Sequence, residues 1–466
     1  MRSVGARVAQ QAISLLGGSY GKRVVLEVGP GNNGADGLAC AAVLTGRGVK
    51  VDIVRVGETV GEQRLAAADL FIDAAFGVGL SRPFACRSLP SELSVLSIDL
   101  PSGIDASTGA ELGSAYHATR TVAVGALKPG HLQGAGISHS GEIVVELAEL
   151  APRNDFLGLV DDDDLVSWIP IGQRSDHKWK RSVMVVAGAP GTFGAAVLSS
   201  RAAYRLSCGI VHLFLHSGEA AASSAVLNDA PEIVVRPLES LWAEPIVSEI
   251  ERFRALVVGP GVGRNIQMVN FVRRLVARSS VPTVVDAEGL SAFGDVDRLK
   301  RAVEGGDREV ILTPHDGEFN ALFGSSGLRS GDDADRITLC RDAARLSGCT
   351  VLLKGSPTVI ARPDGVTRVV ASGSAALAMA GSGDVLAGMI GGFLARGLDA
   401  LSAASAAAHL HGRAGTSGGR YSSDPLVLVE RAVGTLERLQ DEWHRSQPAV
   451  RTTIESRSLP SWTTLE

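Results

Sequence analysis

A glycine-rich stretch in the second half of the chain has the residue types and spacing for phosphate chemistry. Gly381, Gly383 and Asp384 directly precede an apolar run at residues 385–393, which is typical of a buried helix. The first N–H groups of a helix have no partners within it, so glycines there leave a positively polarised site for an anion. A carboxylate at 384 could accept a proton from a hydroxyl beside a bound phosphate. An aspartate before a helix is more often an N-cap, but the paired glycines favour the catalytic interpretation.

Other polar residues in this half follow predicted strands. Asp286 ends one β-branched apolar run, His315 and Glu318 follow a second, and Lys354 follows a third. The carboxyl ends of parallel strands share one edge of a sheet, so a single crevice can gather these side chains. Taken singly, His315 would more often be a turn or surface histidine. For Lys354, a binding role is favoured over the alternative of a surface lysine that closes a strand.

Short polar side chains also follow the predicted strands of the first half. Asn33 lies in the glycine-rich segment 29–37, and Asp73, Asp99 and Ser102 lie at or near later strand ends. Oxygen ligands on short side chains suit a hard cation. Any one of these residues alone would be interpreted as a turn former. The glycine-rich segment lacks the spacing of the dinucleotide-binding fingerprint, which makes an NAD oxidoreductase the weakest alternative.

The elements that must position these residues alternate between strand and helix. In the first half, apolar spacing predicts a helix at 5–16, a strand at 23–28, a helix at 38–47 and a strand at 49–56. The same alternation in the second half predicts a parallel sheet covered by helices on both faces. Both halves are therefore expected to be α/β.

A boundary between the two halves is predicted near residues 149–164. This stretch contains Pro152 and an acidic run at 161–164. We interpret the acidic run as a solvated linker.

Length, charge and cysteine usage limit the class of protein. A chain of 466 residues favours two or three domains, and its net charge of −5 with no basic face argues against nucleic acid as a partner. The five cysteines are scattered and odd in number, which predicts reduced thiols. No apolar run reaches membrane-spanning length and the N-terminus lacks a signal-peptide pattern, so we expect a cytoplasmic protein without a membrane partner.

Residues 161–439 resemble the ribokinase-like superfamily and, within it, the ADP/ATP-dependent NAD(P)H-hydrate dehydratases. The motifs Gly-Ser-Gly-Asp at 381–384, Thr-Pro-His-Asp-Gly-Glu at 313–318 and Lys-Gly-Ser-Pro-Thr at 354–358 carry the resemblance. It implies a three-layer α/β domain in which Asp384 is the base, with Mg²⁺ and with ADP or ATP as co-substrate. The implied nucleotide-binding residues are Lys354, Gly355, Ser356, Pro357, Thr358 and Gly383. The implied contacts with the hydrated nicotinamide nucleotide are Ala195, Gly261, Gly263, His315 and Asp384.

Residues 1–150 resemble the NAD(P)H-hydrate epimerases, which have a Rossmann-like three-layer fold. The resemblance rests on Asn-Asn-Gly-Ala-Asp-Gly at 32–37, Phe-Gly-Val-Gly-Leu at 76–80, Asp-Leu-Pro-Ser-Gly at 99–103 and Lys-Pro-Gly at 128–130. It implies that Asp99 takes and returns the proton during epimerisation. The implied pocket residues are Asn32, Asn33, Gly34, Ala35, Asp36, Gly77, Val78, Gly79, Leu80, Ser81, Arg82, Pro83 and Asp99. The implied potassium ligands are Asn33, Asp73 and Ser102.

This first part departs from the epimerase pattern in three places. Ala35 replaces a glycine of the first motif, the chain starts within the family's first shared helix, and the link at 56–65 is shorter than usual. The link is short enough that a helix and a strand of the family would be missing, so we expect a shortened domain.

Together the resemblances imply an enzyme that repairs hydrated NADH and NADPH. The second domain would dehydrate the S-hydrate, the first would interconvert the R and S forms, and we expect ADP rather than ATP and a homo-oligomer. One alternative is a small-molecule kinase of the same fold, against which the motif at 313–318 argues. Another is that the first domain is a non-catalytic scaffold. The predicted layout is 1–150, 161–439 and a polar tail at 440–466.

Overall fold

The computed structural model contains two β-sheets with helices packed against them. It describes residues 2–146, 156–172, 176–206, 209–216, 230–238, 243–331, 334–417 and 424–446. The strands in these ranges are β1 (Arg23–Val28), β2 (Lys50–Arg55), β3 (Leu70–Ala74), β4 (Val95–Ile98), β5 (Arg120–Val124), β6 (Glu142–Glu146), β7 (Leu157–Leu159), β8 (Ser182–Val186), β9 (Ile210–Leu215), β10 (Val234–Pro237), β11 (Ala255–Val258), β12 (Thr283–Val285), β13 (Val310–Leu312), β14 (Thr350–Leu353), β15 (Thr358–Ala361) and β16 (Thr367–Val370).

The α-helices alternate with most of these strands, but within the described residues none separates β3 from β4, β4 from β5, β14 from β15 or β15 from β16. Those in the described ranges are α1 (Arg2–Leu16), α2 (Asn32–Gly46), α3 (Glu62–Ala66), α4 (Pro129–Leu132), α5 (Gly136–His139), α6 (Asp162–Trp168), α7 (Phe193–Arg205), α8 (Glu244–Ile250), α9 (Ile266–Arg278), α10 (Glu288–Ser291), α11 (Val296–Val303), α12 (Asp316–Phe323), α13 (Arg336–Ser347), α14 (Ser382–Ala395), α15 (Ala400–Thr416) and α16 (Pro425–Ser446). The predicted α/β class of both parts is confirmed.

The smaller sheet contains β1 to β6 in the order β2-β1-β3-β4-β5-β6, and all its pairs are parallel. Its two faces are covered unequally. Helices α1 and α2 pack on one face, over Leu26, Ile72 and Leu96. The other face is covered by α3, which has five residues, and by irregular chain that buries Phe71 and Tyr116. The layer on this second face therefore contains little helix, in agreement with the shortened domain expected from the short link at 56–65.

The larger sheet has the order β10-β9-β8-β11-β12-β13-β14-β15-β16-β7. The expectation that it is parallel throughout is wrong at one edge, because β14 pairs antiparallel with β15, and β15 with β16. Only residues 354–357 connect β14 to β15, whereas a parallel crossover needs roughly a dozen residues or more. The chain therefore turns straight back, and the predicted nucleotide-binding residues form the turn of a hairpin.

Helix α14, which carries Asp384, is fixed by close packing. Gly388 approaches α7 so closely that a Cβ there would lie 2.1 Å from the carbonyl oxygen of Ser199. Only glycine permits this approach. Helix α15 packs along another side of α14, so the first turn of α14 is held in place by both neighbours.

The acidic run at 161–164 begins a packed helix and is not a solvated linker. The Asp161 carboxylate caps α6 by accepting a hydrogen bond from the Asp164 N–H at 3.0 Å. Asp162 lies 2.9 Å from Nε2 of His409 on α15. Acidic residues suit this position because the first N–H groups of a helix carry a partial positive charge.

Two boundaries differ from the predicted layout of 161–439 for the second domain. β7 pairs with β16 in the larger sheet, so that sheet takes up chain before residue 161. α16 continues to Ser446, seven residues into the predicted polar tail. The polar residues after 439 form the outward side of this amphipathic helix. Residues 447–466 lie outside the described ranges.

The two domains touch at α4 of the smaller one. Leu132 packs against a core cluster of the larger domain that includes Ile337. Gln133 Nε2 donates a hydrogen bond to Asp335 Oδ1 at 3.1 Å. This contact joins α4 directly to the start of α13.

Within the described ranges, no helix is long and apolar enough to cross a membrane. The cysteines there carry free thiols: Cys40, Cys86, Cys340 and Cys349. Cys208 lies outside those ranges.

Candidate active sites

Asp384 lies in the first turn of α14 and does not cap it. The N-cap is Gly381, whose φ of 87° suits glycine, and the helix begins at Ser382. Capping therefore does not account for this carboxylate. Burial, followed by the negative charge of Asp286, raises the pKa of Asp384 to about 7, against the opposing effect of Lys354. A carboxyl group with this pKa can accept a proton near neutral pH.

Lys354 provides the positive charge next to Asp384. Its Nζ lies 2.6 Å from Asp286 Oδ1, and a Cβ added at Gly383 would stand 3.3 Å from the same Nζ. The Thr313 hydroxyl donates to Asp286 Oδ1 at 2.7 Å. Burial opposes the charged form of Lys354, but Asp286, Glu318 and Asp384 together outweigh burial and raise the pKa of Lys354. The ammonium group is thus held charged beside the start of α14.

Arg336 fixes the hairpin turn at 354–357 from beneath. Its Nη2 donates to the Lys354 carbonyl oxygen at 2.6 Å, and its Nε donates to the Pro357 carbonyl oxygen at 3.2 Å. Gly355 has φ 154°, and a Cβ there would lie 2.3 Å from Nη2 of Arg336. Because Arg336 occupies that space, the turn can keep its shape only with glycine at 355. Ser356 is exposed, and Thr358 bonds back to the Gly355 carbonyl oxygen at 3.0 Å.

His315 has a capping role as well as an exposed ring. Its Nδ1 accepts hydrogen bonds from the N–H groups of Gly317 and Glu318 at the start of α12. The backbone N–H of His315 in turn donates to Glu318 Oε2 at 3.0 Å. The His315 side chain is 61% exposed, and its Nε2 lies 3.6 Å from Glu318 Oε2. The exposed edge of the ring can therefore meet a ligand beside Glu318.

The remaining predicted hydrate contacts lie on a second loop. Gly261 and Gly263 follow β11 with φ of 63° and 81°. Thr192 donates through its hydroxyl to the Gly261 carbonyl oxygen at 2.6 Å. A Cβ at Gly261 would stand 3.0 Å from the Cβ of Ala195. This contact holds the loop against the beginning of α7.

The dehydratase-like site is rich in acids. Asp286, Glu288, Glu318 and Asp384 act on one another electrostatically, with Lys354 as the cation among them. In the described part of the chain, no three His, Cys, Asp or Glu side chains are arranged to hold a metal ion. Mg²⁺ commonly binds through one or two carboxylates plus substrate phosphates. The residues fit Mg²⁺ in that manner, with most of its ligands coming from a nucleotide.

In the smaller domain, the predicted loop at 29–37 is partly helix. α2 begins at Asn32 with Gly31 as N-cap, instead of at residue 38. The glycines permit close packing, since a Cβ at Gly34 would lie 2.0 Å from the Gly29 carbonyl oxygen. Asn32, Asn33 and the three residues that follow therefore form the first turns of α2.

Two polar atoms in α2 are buried and have no hydrogen-bond partner. They are Asn33 Nδ2 and Asp36 Oδ1. Burial raises the pKa of Asp36, and the negative charge of Asp99 adds to that effect. Unpaired buried polar atoms are rare in folded proteins, so these atoms are suited to a polar ligand.

Asp99 follows β4 with φ 71°, a strained conformation for a residue other than glycine. It forms an ion pair with Lys128, and its Oδ2 accepts from the Val78 N–H at 3.3 Å. Its carbonyl oxygen accepts from His131 Nε2 at 2.7 Å, while His131 Nδ1 accepts from the Lys128 N–H. A Cβ at Gly77 would lie 2.6 Å from Asp99 Oδ2. The carboxylate is therefore held against the predicted pocket segment 77–83.

Most residues of that segment are exposed. The Leu80 side chain is buried beneath the sheet face, and the exposed members are Val78, Gly79, Ser81, Arg82 and Pro83. The segment thus presents its backbone and polar side chains outward beside Asp99.

The predicted potassium ligands are brought together only in part. Asp73 is fully buried, and its oxygens accept hydrogen bonds from Ala75, Ser97 and, twice, Ser102. Burial raises the pKa of Asp73 to about 6. No described contact links Asn33 to Asp73. The oxygen donors suit a hard cation in kind, but an ion there would have to break the hydrogen bond from the Ser102 hydroxyl to Asp73.

Several residues at the sites were not predicted from the sequence. Asp286 was placed at a strand end without a site role, and Arg336 was not singled out at all. His411 on α15 is buried, its Nε2 donates to the Ser382 carbonyl oxygen at 3.1 Å, and burial lowers its pKa to about 4. A neutral His411 therefore holds the first turn of α14. Lys128 had been noted only as part of a motif, and its match to Asp99 required the fold.

The two folds and their sites define a class: a nucleotide-dependent enzyme in which a Rossmann-like domain precedes a ribokinase-like one. Residues 183–422 match the NAD(P)H-hydrate dehydratase family, and residues 1–66 and 55–130 match the YjeF-related protein N-terminus. The chain is 36% identical over 422 residues to the bifunctional NAD(P)H-hydrate repair enzyme of Mycobacterium tuberculosis, which covers 85% of this chain and 84% of that protein. With the enzyme of the same name from Moorella thermoacetica it shares 30% identity over 483 residues, covering 92% and 89%. The chain belongs to the family of bifunctional NAD(P)H-hydrate repair enzymes.

Solved structures resemble the larger domain. A ribokinase-like superfamily protein from Enterococcus faecalis aligns with TM-score 0.53 and 19% identity, covering 62% of this chain and 99% of its own. This likeness establishes the fold alone. The ADP/ATP-dependent NAD(P)H-hydrate dehydratase from Bacillus subtilis, co-crystallized with ATP and Mg²⁺, aligns with TM-score 0.50 and 25% identity, covering 62% and 98%.

Proposed function

We propose that this enzyme restores NADH and NADPH from their hydrates in two steps, one in each domain. The observation that carries the proposal is the carboxyl group of Asp384, in the first turn of α14 with its pKa raised to about 7 and beside the charged Lys354. This arrangement combines a base with an anion site, as phosphoryl transfer to a hydroxyl requires.

In the larger domain, Asp384 accepts the proton of the hydroxyl at C6 of the S-hydrate while the oxygen attacks the terminal phosphorus of ADP or ATP. The nucleotide leaves one phosphate shorter. The resulting phosphate ester loses phosphate from C6 and a proton from C5, which restores the C5–C6 double bond. Phosphate is therefore a product and does not remain on the repaired nucleotide.

Fixed charges in this domain stabilise the transferred group. The backbone N–H groups at 381–384 and the ammonium group of Lys354 face the phosphates, and they need no rearrangement during the reaction. When bound, Mg²⁺ would neutralise part of the negative charge of the nucleotide phosphates. The hairpin turn at 354–357, held by Arg336, positions the nucleotide, while His315 and the loop at 261–263 orient the hydrate.

In the smaller domain, Asp99 takes and returns a proton as the R and S hydrates interconvert. The ion pair with Lys128 places a positive charge beside the Asp99 side chain. The segment 77–83 and the first turns of α2 line the pocket. The side-chain oxygens of Asp73 and Ser102 lie beneath it. Potassium binding by Asn33, Asp73 and Ser102 remains part of this proposal.

We also propose ADP as the preferred phosphoryl donor and a homo-oligomer as the assembly. A cytoplasmic location without nucleic-acid or membrane partners stays a prediction from composition, and a domain boundary near residues 149–164 stays one from motifs.

One experiment tests both activities. Mixed R and S hydrates of NADH are supplied with Mg²⁺ and either ADP or ATP, and the return of reduced-nicotinamide absorbance is followed. Complete recovery is expected. A plateau near the S fraction would remove the epimerase half and leave a scaffold domain, and a product that retained phosphate would identify a kinase instead.

A further inference from the structure

A buried charged group in the smaller domain has no role in the sites described above. Glu27 on β1 is 2% exposed, and its side chain lies on the sheet face that lacks long helices. Its Oε1 accepts from Arg87 Nε at 2.6 Å, and its Oε2 accepts from the Tyr116 hydroxyl at 2.7 Å. The Arg87 N–H donates to the same hydroxyl oxygen at 3.1 Å. A buried carboxylate persists only when such partners replace water. We name these three residues the Glu27 cluster.

Arg87 also binds the main chain of the short link. Its Nη2 donates to the Arg55 carbonyl oxygen at 3.0 Å, and its Nη1 donates to the Glu58 carbonyl oxygen at 2.5 Å. These carbonyls lie at the end of β2 and in the next turn, where the family match breaks into the segments 1–66 and 55–130. One guanidinium group therefore joins β1, the shortened link and the chain that follows β3.

The chain anchored by Arg87 begins with the predicted epimerase pocket. Residues 77–83 run straight into Phe84, whose N–H donates to the Leu112 carbonyl oxygen at 2.8 Å. Within 77–83 only Leu80 is buried, so the segment has little packing of its own. Its shape therefore depends on how its two ends are held: by Asp99 at Gly77, and by Phe84 and Arg87 beyond residue 83.

We propose that the Glu27 cluster positions the hydrate pocket of the smaller domain, by locking segment 77–87 onto the link at 56–65. In this chain that segment covers the sheet face on which the shortened link provides only α3. Arg87 is a positioning residue, since its contacts are with Glu27, Tyr116 and backbone carbonyls rather than with the pocket. The kinetic part of the proposal rests on the epimerase function proposed above, and the structural part does not.

The test is amide hydrogen exchange of residues 77–83 in the full-length chain, together with kinetics. In Arg87→Met we expect exchange there to become about tenfold faster or more, because hydrogen bonds to a charged group are lost. We expect kcat/KM for R-to-S conversion to fall about 10²-fold, since misplacing reacting groups by about 1 Å has effects of that size. Dehydration of the S-hydrate should keep its wild-type rate.

A matched control separates this effect from the general loss of an arginine. Arg120 pairs with Glu142, whose side chain is 62% exposed, so Arg120→Met leaves no buried charge. Its exchange at 77–83 and its epimerisation should match wild type. Exchange at 77–83 that stays unchanged in Arg87→Met overturns the proposal.

A second variant is needed if Arg87→Met unfolds the domain because it leaves the buried Glu27 carboxylate without its arginine partner. Glu27→Leu combined with Arg87→Met removes both buried charges, a change that often restores stability, but it does not restore the contacts with Arg55 and Glu58. Positioning predicts a wild-type melting temperature with exchange still fast and epimerisation still slow. Recovery of both by the double variant shows a merely stabilising role and overturns the proposal.

The failure of the proposed epimerase can be told apart from the failure of this inference. A wild-type protein with no R-to-S conversion removes the epimerase function. Exchange at 77–83 in the same set of variants then decides whether the Glu27 cluster holds the segment.

Discussion

At the scale of single residues, the proposed dehydratase mechanism depends on the carboxyl group of Asp384. The protein environment disfavours ionisation of this group. Asp384 is partly buried and near Asp286, and both features disfavour its charged form. Lys354 opposes them only in part. The proposed base therefore has a pKa of about 7, which suits proton transfer near neutral pH.

Replacement of Asp384 by Asn tests the base directly. Asn keeps the size and shape but cannot accept the proton, so dehydratase turnover should fall by about 10²–10⁴. The backbone N–H groups at 381–384 stay in place, so nucleotide affinity should change little. Turnover and nucleotide binding are measured together with the melting temperature. Near-wild-type turnover would reject the catalytic assignment.

The pH dependence of the dehydratase follows from the same group. Below about pH 7 Asp384 binds a proton and cannot act as a base, so kcat/KM for the S-hydrate should fall as the pH drops through that value. The raised pKa also means that the folded state favours the protonated form. The stability this contributes is present at low pH and is lost as pH rises through 7.

Two measurements check this sign. The kcat/KM profile of the wild type should rise to a plateau above pH 7, and the remaining activity of Asp384→Asn should lack that step. Thermal melts should show Asp384→Asn gaining stability relative to wild type as the pH rises from 6 to 8. A profile that is flat across this range in the wild type would contradict the role of Asp384.

At the scale of elements, hairpins and helix starts set the geometry around these residues. The turn between β14 and β15 is held from below by Arg336, and the start of α14 is held by His411. Each device fixes backbone groups that a phosphate would contact, so their effects should appear in nucleotide binding.

Gly355→Ala tests the hairpin turn. The added Cβ would meet Arg336 at 2.3 Å, and the backbone there has φ 154°. Strain of this type costs roughly 1–3 kcal/mol, and relief of the clash must move the turn. We expect the KM for ADP and ATP to rise about tenfold or more. Steady-state kinetics with varied nucleotide measure the change.

Gly365→Ala is the matched control for that substitution. Gly365 has φ 93° in the turn between β15 and β16, where the nearest atom to an added Cβ belongs to Arg345 at 3.7 Å. Its alanine variant should lose stability through strain without raising the nucleotide KM. An equal rise of KM in both variants would show that any strain in the strands β14 to β16 raises KM, and that the contact between Gly355 and Arg336 has no specific role.

Asp161→Ala tests the reinterpreted acidic run. Loss of an N-cap costs roughly 0.5–2 kcal/mol, and α6 packs on α15 and α16, so the larger domain should melt at a lower temperature. Activity per folded molecule should not change. Asp163→Ala, at a position that is also exposed but does not cap α6, should have a much smaller effect. Equal melting temperatures for Asp161→Ala and wild type would restore the linker interpretation.

At the scale of the whole molecule, the two candidate sites lie in separate sheets with separate cores. The described hydrogen bond between domains is the one from Gln133 to Asp335, next to the apolar contact of Leu132. Chemistry in one domain should therefore be removable without stopping chemistry in the other.

Asp99→Asn tests this independence. The variant should lose R-to-S conversion because its side chain cannot take the proton and no longer pairs as an anion with Lys128. Repair of pure S-hydrate should be unchanged, since Asp99 belongs to the smaller sheet. Both rates are measured on the same folded preparation. Loss of S-hydrate repair without unfolding would show that the two sites are coupled.

The sequence by itself determined the order of elements and the identity of the chemical groups. Apolar periodicity identified the strand β1 and the helix α1, because burial on one side imposes spacing that can be counted along the chain. Glycines around Asp384 predicted an anion site, because the backbone N–H groups at the start of a helix have no partners within it.

Only the tertiary structure decided which distant groups meet. The pairing of Lys354 with Asp286, the support by Arg336 and the match of Lys128 to Asp99 join positions that are far apart in the chain, and no local pattern encodes such contacts. The same holds for the direction of β15, which follows from a connection too short to cross over. Local periodicity reports burial, whereas the meeting of side chains depends on how whole elements pack.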